Sequence, residues 1–190
     1  MQIIGITGTI GAGKGTIVEY LVKEKGCHHY SARDFLLKEI RNRGLPENRD
    51  SMVIVANDLR KNNSPSYIID RLYEEATQHE KHAVIESIRT PGEVLSLRSK
   101  GNFTLLAVDA HPDKRYERIK KRNSETDGID FETFLANEKR EMSSMDPHKQ
   151  NLKKCIEMAD YVIVNNGTEA ELHKKTDEIL TEIEKDQTDE

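Results

Sequence analysis

The segment "QIIGITGTIGAGKGT" (residues 2–16) constrains the fold more than any other stretch of the chain. An apolar run runs into a glycine-rich turn, and the turn into a helical pattern over 14–25. Gly8, Gly13 and Lys14 have the spacing of a phosphate-binding loop. Phosphate oxygens need donors arranged around a concavity. Glycine lets backbone N–H groups turn inward, and the start of the next helix adds a favourable dipole. The lysine supplies a point charge for the β- and γ-phosphates. Gly8, Gly11, Ala12, Gly13, Lys14, Gly15 and Thr16 are therefore the expected triphosphate cradle.

Further along, short runs rich in Ile, Val and Leu recur at 82–87, 103–109 and 161–165, with a fainter one at 27–31. Helical patterns at 33–43, 50–62, 66–79, 91–100, 112–122, 130–142, 147–158 and 168–185 separate them. Strand–helix alternation predicts an α/β fold with a five-stranded parallel sheet covered on both faces. At 190 residues and 35% hydrophobic content, one domain with a single core over 1–190 is expected. Between 33 and 80 three helical patterns follow one another with no strand, which marks a helical lobe inserted after the second strand.

Composition narrows the partners. A net charge of −5 disfavours wholesale nucleic-acid binding. No apolar run nears membrane length, and no charged leader precedes an apolar stretch. Cys27 and Cys155 are far apart and show no disulfide or metal spacing. A cytoplasmic protein is expected, with neither nucleic acid nor membrane as partner; the oligomeric state stays open. The seven histidines form no ligand spacing.

Where a phosphate-binding loop normally carries Ser or Thr after its lysine, this chain has Gly15, then Thr16. The form G-x-x-G-x-G-K-G-T resembles the loop of adenylate kinases and related nucleoside monophosphate kinases. The likeness continues over nearly the whole chain. "YSARDFLLKEI" (30–40) is similar to the stretch that opens the acceptor lobe of adenylate kinases, with Asp34 matching their aspartate. In dephospho-coenzyme-A kinases a similarly placed aspartate acts as base or orients the acceptor hydroxyl; a plain helix N-cap role is the alternative. The arginine that adenylate kinases carry three places later is Leu37 here, with Arg33, Arg41 and Arg60 as candidate replacements.

"VIESIRT" (84–90) is similar to the end of the third strand of these kinases, which places Glu86 near metal-bound water and Arg89 on the acceptor phosphate. "VDAHPDKRYERIKKR" (108–122) matches the fourth strand and the helix leading to the lid. Residues 113–122 hold six Lys/Arg against two acids. Arg118 and Arg122 share a helix face and, by the resemblance, contact the nucleotide. Asp109 is a second candidate acid near Mg²⁺ or a turn former. Residues 123–140 would form a short lid, with Arg140 swinging onto the transferring phosphate. "MADYVIVNNGTEAEL" (158–172) resembles the last strand and loop of dephospho-coenzyme-A kinases, which places Asn166 at the nucleotide.

The resemblance thus implies a P-loop NTPase three-layer sandwich, with an acceptor-binding helical lobe (33–80) and a short lid (123–140). It implies ATP and Mg²⁺ as donor pair, the metal held largely through water by Thr16, Glu86 and Asp109. Catalytic roles fall to Lys14, Asp34, Arg89, Arg122 and Arg140. The expected activity is transfer of the γ-phosphoryl group to a nucleoside or deoxynucleoside monophosphate. Dephospho-coenzyme A is the alternative acceptor. A nucleotide-binding regulatory ATPase is the alternative of another class. Lobe and lid are expected to close separately, hinged at "GLPEN", "NNSPS" and "TDG".

Overall fold

The computed structural model of the chain describes residues 1–79, 81–122 and 129–188. Five strands form one parallel sheet: β1 (Ile3–Gly8), β2 (His28–Ser31), β3 (Ala83–Glu86), β4 (Phe103–Asp109) and β5 (Tyr161–Val164). Their order is β2-β3-β1-β4-β5. Every residue of β1 is buried, as a central parallel strand covered on both faces requires. Its register runs Ile3 to Ala83 and Phe103 on its two neighbours, ending with Gly8 opposite Val108.

Two apolar layers flank the sheet. On one face α1 (Lys14–Lys25) and α9 (Glu169–Thr188) bury Ile17, Leu21 and Leu172 against Ile4, Ile6, Val84 and Leu106. The other face is covered by α2 (Ala32–Asn42), α3 (Arg49–Asn62), α4 (Tyr67–Ala76), α5 (Pro91–Ser99) and α8 (Leu152–Glu157). Ile40, Val55, Ile69, Val94 and Leu97 fill that layer. Two helices remain, α6 (Pro112–Arg122) and α7 (Phe131–Met142), joined by rings of Tyr116, Phe131 and Phe134 packed 5.0–5.9 Å apart.

Local chemistry sets the helix starts. Ser31, Asn48, Asp130 and Asn151 cap α2, α3, α7 and α8 through their side chains. Thr90 and Glu93 form a full capping box on α5, with Pro91 in its first turn. The expected helix 147–158 shrinks to Leu152–Glu157, since the chain turns at Asp146–Lys149 before Asn151 restarts it.

All five strands end on the same edge, where open α/β sheets bind ligands. Gly8 closes β1 there with φ +133°, and a β-carbon on it would lie 2.0 Å from the Val108 carbonyl oxygen. Only glycine allows β1 to hand the chain into the loop at this point. No described helix is long and apolar enough to cross a membrane.

Candidate functional site

A cavity of about 780 Å³ opens at the carboxyl edge of the sheet. Its floor is the loop after β1. Gly13, with φ +105°, caps α1, and a β-carbon there would strike Asn165 Nδ2 at 2.4 Å. That amide donates to the Ala12 carbonyl at 2.8 Å, and Arg118 donates to the carbonyls of Asn165 and Ala12 at 3.0 and 3.4 Å. The loop is thus held from β5 and α6. Thr9 Oγ1 donates to Asp109 Oδ1 at 2.6 Å, pinning its other side to β4.

Lys14 Nζ folds back over the loop and donates to the Gly8 and Thr9 carbonyls at 2.9 and 2.7 Å. Burial, then the positive Arg89, push its ammonium down to about 7, against the pull of Glu86 and Glu141. Phosphate oxygens would reverse that balance. Binding of a nucleotide's phosphates is therefore expected to take up a proton above about pH 7. Nucleotide affinity should fall as pH rises above about 7. Calorimetry in buffers of differing ionisation enthalpy measures the uptake. Lys14→Met should abolish it.

Glu86 ends β3 inside the cavity. Its carboxylate accepts from Ser31 Oγ at 3.1 Å and lies 3.5 Å from His29 Nε2. Burial pushes its pKa up, but the His29 contact, the Ser31 hydroxyl and the Lys14 charge outweigh it, and the net shift is downward. The carboxylate is thus held ionised facing the lysine. Ser87 follows with φ +66°, rare for a residue with a side chain. That turn aims the next residues along the cavity wall.

Arg89 Nη1 donates to Glu141 Oε2 at 2.8 Å and Gln150 Oε1 at 2.9 Å. The other oxygen of Glu141 is held by Arg49 Nη2. Glu141 is 4% exposed, and the two arginine charges overcome its burial to hold it ionised. One carboxylate from α7 therefore joins the loop after β3 to the start of α3. Beyond it the cavity wall is Leu36, Met52, Val53, Ala56 and Ile68, with Arg33 and Arg60.

Several expected site residues meet here: Gly11, Gly13, Lys14, Gly15, Thr16, Glu86, Arg89, Arg118 and Arg122 all line the cavity. Others lie elsewhere. Gly8 and Ala12 are under the loop rather than on its surface: Gly8 ends β1 and Ala12 is fully buried. Asp34 is exposed in the first turn of α2, where its backbone N–H is capped by Ser31, and it does not line the cavity. Asp109 spends its carboxylate on Thr9 and the Ala110 N–H at 2.8 Å, also outside the lining. Asn166 turns outward to accept from the His111 N–H at 2.8 Å, and Asn165 takes the inner place. Arg140 is exposed and pairs with Asp50 at 3.2 Å, outside the lining; its neighbour Glu141 points in. Of the candidates for the arginine missing at Leu37, Arg33 and Arg60 reach the cavity, whereas Arg41 pairs with Glu47 at the surface.

The expected lid spans residues 123–140. Residues 123–128 lie outside the described residues. The rest leads into α7, which is anchored: Phe134 is fully buried, and Glu138 receives both Nη groups of buried Arg115. Arg115 Nη1 also reaches the Ile10 carbonyl of the phosphate loop at 3.4 Å. The pairs Arg49–Glu141 and Arg140–Asp50 join α7 to the lobe in this structure. Arg49 and Glu141 had no motif to mark them in the sequence; their only signal was helical spacing.

Sheet order, glycine-rich loop, inward lysine and facing carboxylate define a P-loop kinase-like protein. The chain belongs to the AAA domain family, whose model matches residues 4–146, and to the UPF0200 proteins. The UPF0200 protein of Methanocaldococcus jannaschii is 31% identical, covering 96% of this chain and 91% of its own length. Among solved structures, the shikimate kinase of Aquifex aeolicus matches with a TM-score of 0.54 at 14% identity, over 98% of this chain and 99% of its own. The gluconokinase of Sinorhizobium meliloti matches with a TM-score of 0.56 at 14% identity, over 91% and 87%. At that identity these structures speak for the fold, and the resemblance to P-loop nucleotide kinases holds at that level.

Proposed function

We propose that the protein is an ATP-dependent small-molecule kinase that transfers the γ-phosphoryl group to a nucleoside or deoxynucleoside monophosphate. The observation that carries this reading is one continuous cavity with two unlike ends. One end is the phosphate loop with Lys14, Arg118 and Arg122; the other is the apolar wall of the lobe, residues 33–80, ringed by arginines. A pure ATPase has no use for the second end.

Lys14 would meet the β- and γ-phosphates, and Arg118 and Arg122 would hold the rest of the donor. Among the described residues no group of three or more His, Cys, Asp or Glu stands together to hold a metal. Glu86 and Thr16 alone suit Mg²⁺, which keeps much of its water and binds through few protein ligands. What Mg²⁺ supplies when bound is neutralisation of phosphate charge. Arg89 and Arg49 would orient the acceptor phosphate once Glu141 shares them. An acceptor phosphate is already an anion and needs no base to attack. That fits Asp34 standing outside the cavity and favours a monophosphate over the ribose hydroxyl of dephospho-coenzyme A. Burial of the free thiols Cys27 and Cys155 fits action in the cytoplasm.

Two measurements test this. ADP release is followed with ATP alone, then with each nucleoside monophosphate, deoxymonophosphate and dephospho-coenzyme A; release stimulated by a monophosphate is expected. Arg89→Ala should raise the KM of that acceptor by at least about tenfold, as loss of a charge-assisted contact does, with the KM for ATP little changed. A rise confined to ATP would move Arg89 to the donor side.

A further inference from the structure

Helix α3 carries a guanidinium at each end of the face it turns to the cavity. Arg49, Met52, Val53, Ala56 and Arg60 recur at helical spacing and all line it. The two arginines are separated by about 16 Å of helix at 1.5 Å per residue. Arg49 belongs to the charged end with Glu141 and Arg89. Arg60, at the other end of the helix, lines the same cavity.

Arg60 is 2% exposed. Its Nε and Nη2 both donate to Glu93 Oε1, at 3.1 and 2.8 Å. The other oxygen of Glu93 accepts from the backbone N–H groups of Arg89 and Thr90, at 2.6 and 3.0 Å. Glu93 is itself fixed at the start of α5 by the capping box. The guanidinium therefore cannot turn without giving up its carboxylate. Its remaining nitrogen, Nη1, is buried with no hydrogen-bond partner among the described residues. Buried polar groups are matched almost without exception, and a charged donor left unmatched is strongly unfavourable. The same side chain lines the cavity, which makes a molecule bound there the candidate partner.

The chemistry of that molecule follows from the donor. A guanidinium only donates, so the facing atom is an acceptor. Leu36, Met52, Val53, Ala56 and Ile68 of the same cavity are apolar and suit a flat ring. We propose that Arg60 Nη1 hydrogen-bonds a ring carbonyl of the acceptor base, so that the enzyme selects 6-oxopurine or 4-oxopyrimidine monophosphates over their amino counterparts. This rests on the nucleotide-acceptor reading above. An amine at that place sets donor against donor in a buried slot, the kind of mismatch that yields strong discrimination.

The test compares inosine with adenosine monophosphate, and uridine with cytidine monophosphate, by ATP-dependent turnover and by direct calorimetric binding. In at least one pair, kcat/KM for the oxo member should exceed the amino member by about 100-fold or more. Arg60→Lys keeps a cation against Glu93 but withdraws the donor. Arg60→Met with Glu93→Gln removes both charges together. Either variant, once its folding is verified by thermal melting, should bring the ratio near unity while the KM for ATP holds. Equal turnover or binding of oxo and amino members by the unaltered protein overturns the role of Arg60 and leaves the kinase reading standing. The same holds for a preference that both variants retain. If no monophosphate binds or accepts phosphate while ATP is hydrolysed regardless, the acceptor reading itself falls, and this inference with it.

Discussion

Lys14→Met is expected to lower phosphoryl transfer by about 100- to 1,000-fold, the cost of losing one preorganised group at the developing charge. The folded chain should survive the change. Among the described residues Lys14 is hydrogen-bonded to the carbonyls of Gly8 and Thr9, and its burial depresses its own charged form. Removing a strained cation does not remove a support. The loop keeps its other anchors, Thr9 to Asp109 and Asn165 to Ala12. A melting temperature close to that of the parent, together with lost turnover, is the expected pair of results. Near-normal turnover would remove the loop from the chemistry.

The largest effect on stability is expected at Arg60. The Arg60–Glu93 pair is almost wholly enclosed, with side chains 2% and 1% exposed. Arg60→Met leaves the Glu93 carboxylate buried without its counterion, which costs about 3–5 kcal/mol. Adding Glu93→Gln removes the orphaned charge yet keeps an acceptor for the N–H groups of Arg89 and Thr90. The double variant should therefore recover most of the loss, since an absent buried pair costs far less than a broken one. Urea unfolding of the parent, single and double variants measures this. Arg41→Met is the control: Arg41 and Glu47 pair in open solvent, and no measurable change is expected.

The fold was legible because its signals are local. The four stronger strands and the helix over 14–25 follow directly from apolar runs and the glycine loop, as does the glycine-rich turn that lines the cavity. Strand order was not readable. Which strand lies beside β1 depends on crossovers that leave no mark in a single sequence. Cavity-lining residues were readable near strand ends: Glu86 ends β3 and Arg89 lies three residues beyond it, and both line the cavity. On helices the direction was harder to read, because one position rotates a side chain by about 100°. Arg140 and Glu141 differ by that step. Buried Phe134, with Glu138 held by Arg115, sets the phase that turns Glu141 inward. Asn165 and Asn166 differ likewise, because consecutive residues at a strand end point to opposite faces. Asp34 was placed by likeness to other kinases, yet its N-cap geometry keeps it at the surface.

The central claim is that the cavity joins a donor phosphate site to an acceptor site. The most direct measurement follows the γ-phosphoryl group itself, in a single turnover with ATP labelled at that position. With the preferred monophosphate present, the label should appear in the corresponding diphosphate, and inorganic phosphate should stay at background. Label released as inorganic phosphate at the same rate with and without any acceptor would contradict the account, and would make the protein an ATPase built on a kinase-like fold.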